Sequence, residues 1–483
     1  MTIKDLQPAS IWNYFYDITQ IPRPSGKEEK INAYLLDFAK KHHLAAKQDE
    51  AGNILITKPA TPGKENVPTL LLQSHVDMVC EKNADTVFDF ENDPIQTIID
   101  GDWVRAKGTT LGADNGIGMA AQLAILASTD IAHGKIEALF TVEEETGLTG
   151  AIKLQPNFFT AKTMINLDSG DEGEIYIGCA GGIGTKAYFH YTEKEPDGLF
   201  WFKVKVKGLR GGHSGVDIGA GLASANKLLA RLLYMFPREK YGTQLAEIGG
   251  GLLHNAICRE AYAVFRVSEA LKEEVRVKVN MFLADMQNEY KKTEPHLTIE
   301  LESVEKPATI IDEETADKLL LALLAVPHGV IAMSQDIKGL VETSTNLASI
   351  NMVGNSTIEV GTSQRSSVES GKQFVANMVS SVFELAGAKV VHSDGYPAWQ
   401  PNTDSPILKL ALDEYEKLFN QKAQIKAIHA GLECGLILDK YPGLDIISIG
   451  PDMLDIHSPD ERLKISSVGQ FWEFLVKIIE NIK

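Results

Sequence analysis

Four short apolar runs constrain this chain most: Ile54–Thr57, Thr69–Leu72, Ala138–Val142 and Met164–Leu167. Each is continuous rather than alternating. A strand buried on both faces reads this way, so the runs predict inner strands of a helix-covered α/β sheet. Helices are expected near 10–20 and at about Gly116–Ser128. Between strands and helices, Ile21-Pro22-Arg23-Pro24-Ser25-Gly26 reads as a loop. Ser25 with Glu28 three residues on predicts a capping box for the helix that follows.

The pattern changes near residue 186. Along Trp201–Lys207, Phe202, Val204 and Val206 alternate with Lys203, Lys205 and Lys207, which predicts a half-exposed antiparallel strand. A helix at 217–236, a strand at 261–268, a helix at 269–288 and a strand at 296–304 follow, in the manner of a β-α-β-β-α-β unit. A similar order recurs at 313–392, with a hairpin signal at Gly354-Asn355. After Tyr396-Pro397 the first character returns, with a helix at 405–419 and an apolar strand at Leu444–Ile449. The expected architecture is α/β: one domain from 1–186 and 396–483 with a mixed, mostly parallel sheet flanked by helices. An α+β domain at 187–395 is inserted into it.

Composition narrows the function classes. At 483 residues and 44% hydrophobic content the chain can bury large cores. With 47 basic against 65 acidic residues its net charge is -18, which disfavours nucleic acid and anionic membranes as partners. No run reaches the roughly 18 apolar residues of a spanning helix, and the first residues do not read as an export signal. Cys80, Cys179, Cys258 and Cys434 are far apart and form no C-x-x-C pair. A reducing, cytoplasmic setting fits them, and a thiolate zinc site does not.

The chemistry gathers where the apolar runs end. In open α/β sheets, sites form at the carboxyl ends of the strands. Leu72-Gln73-Ser74-His75-Val76-Asp77 puts His75 and Asp77 two apart on extended chain, pointing the same way. Asp77 can then hold one ring nitrogen of a metal-binding His75; the plainer reading is a polar strand end. In Gly108-Thr109-Thr110-Leu111-Gly112-Ala113-Asp114-Asn115-Gly116, the glycines let a tight turn bring Asp114 close to an ion. Asp114 reads equally as a helix N-cap. Glu143-Glu144-Glu145 repel one another unless exposed or bound to cations, and their place after a buried run favours cations over a solvated turn. Asp168 ends another run. His457, in the Pro-rich loop after Ile449, would alone read as inert. Two histidines with several carboxylates suit zinc, with cobalt or manganese as substitutes. Two ions about 3.5–4 Å apart, bridged by a carboxylate, could activate a water and polarise a carbonyl.

Long stretches carry a family resemblance: KPATPGKENVPTLLLQSHVDMV, RAKGTTLGADNGIGMA, EGEIYIGCAGGI, KGLRGGHSG, HNAICREA, GLVETSTN, HAGLECG and SIGPDMLDIHSPDE. Taken together, almost end to end, the chain resembles the co-catalytic zinc peptidase family of aminoacylases, glutamate-type carboxypeptidases and dipeptidases. The resemblance implies a metallopeptidase that hydrolyses dipeptides, preferentially Xaa-His dipeptides of the carnosine type, with two zinc ions per chain. It implies that Asp114 bridges the ions, that His75 and Asp168 complete one, and that Glu145 and His457 complete the other. Glu144 becomes the general base and Glu143 a bystander, the register being anchored on Glu144-Glu145-Thr146-Gly147. The inserted domain becomes a lid and homodimerisation domain. His213 is implied as an oxyanion donor, across a dimer or after closure. Asn255 and Arg365 are implied at the substrate carboxylate, a task that suits arginine's bidentate fork; alone, Arg365 reads as a surface strand arginine. Gly431 and Glu433 are implied as pocket residues. Rival readings are a tripeptidase or N-acyl amino acid hydrolase of the same family, and a catalytically silent metal-binding protein.

Overall fold

The computed structural model describes residues 2–198, 200–354 and 356–483. The chain forms two compact units. The first takes the chain up to Gly178, then Pro401–Ala427 and Leu432–Lys483; the second takes Cys179–Gln400 and Ile428–Gly431. The changeover falls at Cys179 because the strand Gly181–His190 pairs along its length with Thr357–Ser366 and so joins the second unit's sheet.

The first unit is built on an eight-stranded mixed sheet. Four inner strands, Ile136–Thr141, Leu70–His75, Thr163–Asn166 and Asp445–Ser448, run parallel to one another in that spatial order. Ile136–Thr141 and Leu70–His75 are buried along their whole length, which is why they read as continuous apolar runs. Ile54–Lys58 joins the edge of this group antiparallel to Ile136–Thr141. Register then places the strand ends side by side: His75 lies opposite Thr141, Gln73 opposite Asn166, and Asn166 opposite Ser448. The loops after all four strands therefore emerge along one edge. The helical segment Ala113–Ala127 is almost wholly buried, so its apolar character runs all round rather than along one stripe.

The second unit carries a nine-stranded antiparallel sheet with Ala225–Tyr234, Lys272–Glu289, Glu313–Ala325 and Glu369–Leu385 as its long helices. The alternation at Trp201–Lys207 has its expected meaning: Phe202, Val204 and Val206 are core, while Lys205 and Lys207 pair with Glu302 and Glu300. Burying each such apolar side chain is worth about 1.5–3 kcal/mol. The β-α-β-β-α-β order is present, with one strand, Gln244–Gly250, that the sequence reading passed over. The helix expected at 217–236 starts only at Ala225, because 215–220 turns and 221–224 is irregular, with Gly221 at a φ of +71°. The hairpin signal at Gly354-Asn355 lies partly outside the described residues; the flanking strands Val341–Val353 and Thr357–Ser366 are paired antiparallel. Among the described residues no helix is long and apolar enough to cross a membrane.

Candidate functional site

The ends of the four inner strands of the first unit supply His75, Glu144, Glu145, Asp168 and His457, and the turn that opens the helix Ala113–Ala127 adds Asp114. His75 Nε2 lies 2.9 Å from Asp114 Oδ1 and 3.5 Å from Asp168 Oδ1. The other oxygen of Asp114 faces His457 Nε2 at 3.3 Å, and that nitrogen is 2.9 Å from Glu145 Oε2. Donor atoms of His75, Asp114 and Asp168 lie within 4.8 Å of one another, as do those of Asp114, Glu145 and His457. One carboxylate, Asp114, is thus shared by two adjoining groups of potential ligands. It is brought there by Gly112, whose φ of +69° turns the chain just before it.

Behind this layer, Asp77 organises the glutamate loop. Its Oδ1 is 3.3 Å from His75 Nδ1, its two oxygens accept the Glu144 and Glu145 amides at 3.0 and 3.2 Å, and Ser25 Oγ donates to it at 2.7 Å. Burial works to raise the Asp77 carboxyl, but the neighbouring His75 ring and hydrogen bonds from Ser25 and the Glu144 amide outweigh it and hold it at about 2. Asp77 is therefore an anion that fixes the His75 ring. Glu144 is different. Burial, with Asp168, Glu433 and Glu145 nearby, pushes its carboxyl well above the ordinary range despite the opposing pull of His75. A raised glutamate beside a possible metal site has the character of a proton acceptor at neutral pH. Glu143 stands apart from the ligand groups, with its amide held by Glu28 Oε1 at 3.1 Å.

The donor set suits a cation. Glu145 Oε1 is buried with no hydrogen-bond partner. Burial and Asp114 raise Asp168 to about 6 against the pull of His75. Burial alone would lower His75, yet Asp168, Asp114 and Asp77 raise it well above its usual value; hydrogen bonds to Asp114 and Glu145 push His457 up to about 10. Closely packed carboxylates that perturb one another this strongly are relieved by a bound cation. Mixed imidazole and carboxylate donors match zinc and its first-row neighbours.

Ser25 and Glu28 do not form the expected capping box. The helix Glu29–Lys41 begins without a side-chain cap, because Ser25 is engaged by Asp77 and Glu28 by the amides of Gly26 and Glu143. Glu433 is buried behind the strands, where one oxygen accepts Gln73 Nε2 and Thr141 Oγ1, each at 2.7 Å. Burial raises it to about 7.

The second unit holds the remaining candidates. The strand Thr357–Ser366 carries Arg365, which is not a surface residue: it is 8% exposed. Its Nη1 donates to Tyr396 Oη at 2.6 Å, and its Nε is buried without a partner. Arg365, Asn255, His254 and Tyr396 line a cavity of about 740 Å³. Gly431 is the neighbour that makes room for the Tyr396 ring, since a Cβ there would meet Tyr396 Cε2 at 2.7 Å. His213 is a neutral imidazole: burial lowers it, and Arg365 lowers it further. Its Nδ1 faces the amides of Gly215 and Val216, each at 3.3 Å, so the ring proton sits on Nε2, free to donate. The Asn255 carbonyl accepts the Ser214 amide at 2.8 Å, which ties the two loops together. Tyr396 was not singled out from the sequence; the aromatic cluster Tyr396-Pro397-Ala398-Trp399 was its only signal.

The chain is 44% identical over 481 residues to the cytosol non-specific dipeptidase of Escherichia coli strain K12, covering 99% of both. It superposes on the crystal structure of the aminoacylhistidine dipeptidase of Vibrio alginolyticus with a TM-score of 0.93 at 42% identity, covering 100% of this chain and 98% of that one. A Staphylococcus aureus tripeptidase shares the fold at a TM-score of 0.58 and 18% identity, covering 99% of each chain. The model of peptidase family M20/M25/M40 matches residues 71–481. The chain belongs to peptidase family M20/M25/M40.

Proposed function

We propose that this chain is a cytosolic metal-dependent dipeptidase working with two zinc ions. The observation that carries the reading is the Asp114 carboxylate shared between the His75–Asp168 and Glu145–His457 groups, with Glu144 beside them. Support for dipeptides comes from the E. coli and V. alginolyticus relatives, both named as dipeptidases.

In this reading His75 and Asp168 would hold one ion, Glu145 and His457 the other, and Asp114 would serve both groups. Bound there, divalent metal would supply Lewis acidity toward the scissile carbonyl and make water a stronger acid. Glu144 accepts the proton of the attacking water and returns it to the leaving amine as the C–N bond breaks. Asp77 keeps His75 in the tautomer that offers Nε2. On the second unit, the Nε2 proton of His213 serves the oxyanion. Arg365, with Asn255, takes the free carboxylate of the substrate, and the buried unpartnered Nε of Arg365 is a donor that a carboxylate would satisfy. Gly431 and Glu433 shape the surroundings of Tyr396 and of the strand ends. The first unit is the catalytic domain, and the second serves as lid and homodimerisation domain. Exposed Val330, Ile331 and Met333 on its strand Gly329–Met333 support an apolar interface there.

The side-chain preference is Xaa-His, of the carnosine type. The names of the two relatives differ here, one being a non-specific dipeptidase and the other an aminoacylhistidine dipeptidase. A panel of carnosine, other Xaa-His dipeptides, unrelated dipeptides, a tripeptide and an N-acetyl amino acid, run with metal analysis of the purified protein, tests the assignment. Two zinc equivalents and the highest kcat/KM on Xaa-His dipeptides are expected. Preference for the tripeptide or the N-acetyl substrate overturns it.

A further inference from the structure

The loop that carries Asp114 is gripped from both sides by buried groups of opposite charge that offer no atom to the ligand cluster. On one side, both oxygens of Glu461 face a row of four backbone amides. Oε2 accepts from Leu111 and Gly112 at 2.7 and 2.9 Å, and Oε1 from Ala113 and Asp114 at 2.8 and 3.3 Å. On the other side, the Arg23 guanidinium donates to the carbonyls of Val76 at 2.9 Å and Asp77 at 2.7 Å, and to the Gly112 carbonyl. Both side chains are only 2% exposed. The glycines of this loop are shaped to the guanidinium: a Cβ at Gly112 would meet Arg23 Nη2 at 2.6 Å, and one at Gly116 would meet it at 2.8 Å.

We infer that Arg23 and Glu461 are positioning residues that lock Asp114 in register with His75 and His457. The connectivity gives the reason. Glu461 stands four residues after His457, so its grip on residues 111–114 ties the His457 loop to the Asp114 loop. Arg23 bonds the Gly112 carbonyl and the two carbonyls that follow His75, so it ties the Asp114 loop to the end of the His75 strand. Three ligands from three distant parts of the chain are thereby referred to one backbone turn. A carboxylate that must reach two ions tolerates little displacement. Buried carboxylate and buried guanidinium each satisfy backbone groups that an apolar residue would leave unpaired.

The inference rests on Asp114 as the shared ligand, so Asp114→Asn is the reference variant. Glu461→Gln places an amide N–H against backbone N–H groups, and Arg23→Lys replaces the planar fork, whose two terminal nitrogens reach separate carbonyls, with a single ammonium centre on a shorter donor span. Gly116→Ala retains both charges and adds a methyl group 2.8 Å from Arg23 Nη2 and 3.2 Å from the Phe15 ring. Zinc and cobalt affinities are measured by chelator competition on the full chain, with circular dichroism for folding and the visible spectrum of the cobalt form for geometry. Disturbing the partners of metal-binding groups commonly costs about 10–100-fold in affinity. A loss of that order is expected for Glu461→Gln and Arg23→Lys, and a severalfold loss for Gly116→Ala. An altered cobalt spectrum and a lowered kcat at nearly constant KM accompany these losses. Should Glu461→Gln or Arg23→Lys fail to fold, Gly116→Ala decides. If Asp114→Asn weakens metal binding while the folded variants keep wild-type affinity and spectrum, the positioning role is refuted. If Asp114→Asn itself binds metal normally, the metal assignment fails first.

Discussion

Asp77 Oδ1 stands 3.3 Å from Nδ1 of His75, a contact that leaves Nε2 of the same ring facing Asp114 and Asp168. The carboxylate is held at about 2, so it is ionised at neutral pH. Replacing Asp77 by Asn retains its shape but removes that charge and sets an amide N–H against one of its donors. Metal affinity is expected to fall about 10–100-fold. Chelator competition checks this, and unchanged affinity would separate Asp77 from the metal site.

Metal binding should release protons. Hydrogen bonds to Asp114 and Glu145 push His457 up to about 10, and its carboxylate neighbours raise His75 against the effect of burial. His457 is therefore protonated at pH 7 in the metal-free protein, and the carboxylates around His75 favour its protonated form. A metal must displace those protons, so affinity rises with pH over the range below about 10. Calorimetry of zinc binding at pH 7 in buffers of different ionisation enthalpy is expected to report release of at least about one proton.

Glu144 should set the acid limb of the pH–rate profile. Burial and neighbouring carboxylates raise it well above 4.5. A base must be deprotonated to act, so kcat/KM is expected to climb with pH through a value above that of an ordinary glutamate. Glu144→Gln should bind metal and lose about 10²–10⁴-fold in kcat.

On the second unit, Arg365→Met should raise KM for dipeptides by roughly 10- to 100-fold, as expected for a lost charge-assisted hydrogen bond. Dipeptide amides, which lack the carboxylate, should lose little. Tyr396→Phe removes the hydroxyl that accepts Arg365 Nη1 at 2.6 Å and should raise KM by about two- to tenfold. Comparison of acid and amide substrates checks both.

The strand-end ligands were legible because buried parallel strands leave a plain signature: Leu70–Leu72 and Ala138–Phe140 are unbroken apolar runs, and polar side chains follow them only in the last positions of each strand and in the loop beyond. The loops that carry chemistry begin there. Gln244–Gly250 was not legible, since two glycines and a glutamate dilute its apolar pattern. The capping-box reading of Ser25 and Glu28 followed sound local chemistry, but tertiary partners, Asp77 and the Glu143 amide, claimed both side chains. The packing of Gly431 on Tyr396 and the grip of Glu461 on residues 111–114 join positions 35 and about 350 residues apart. No local pattern in a single sequence encodes contacts of that kind.

The most direct measurement compares hydrolysis of a dipeptide, a tripeptide and an N-acetyl amino acid by the protein as purified, after chelation, and after zinc is restored. Dipeptide hydrolysis that vanishes on chelation and returns with about two zinc equivalents per chain is predicted, as one ion activating water and a second polarising the carbonyl would require. Turnover that survives chelation, or a higher kcat/KM on the tripeptide or the N-acetyl substrate, would contradict the account.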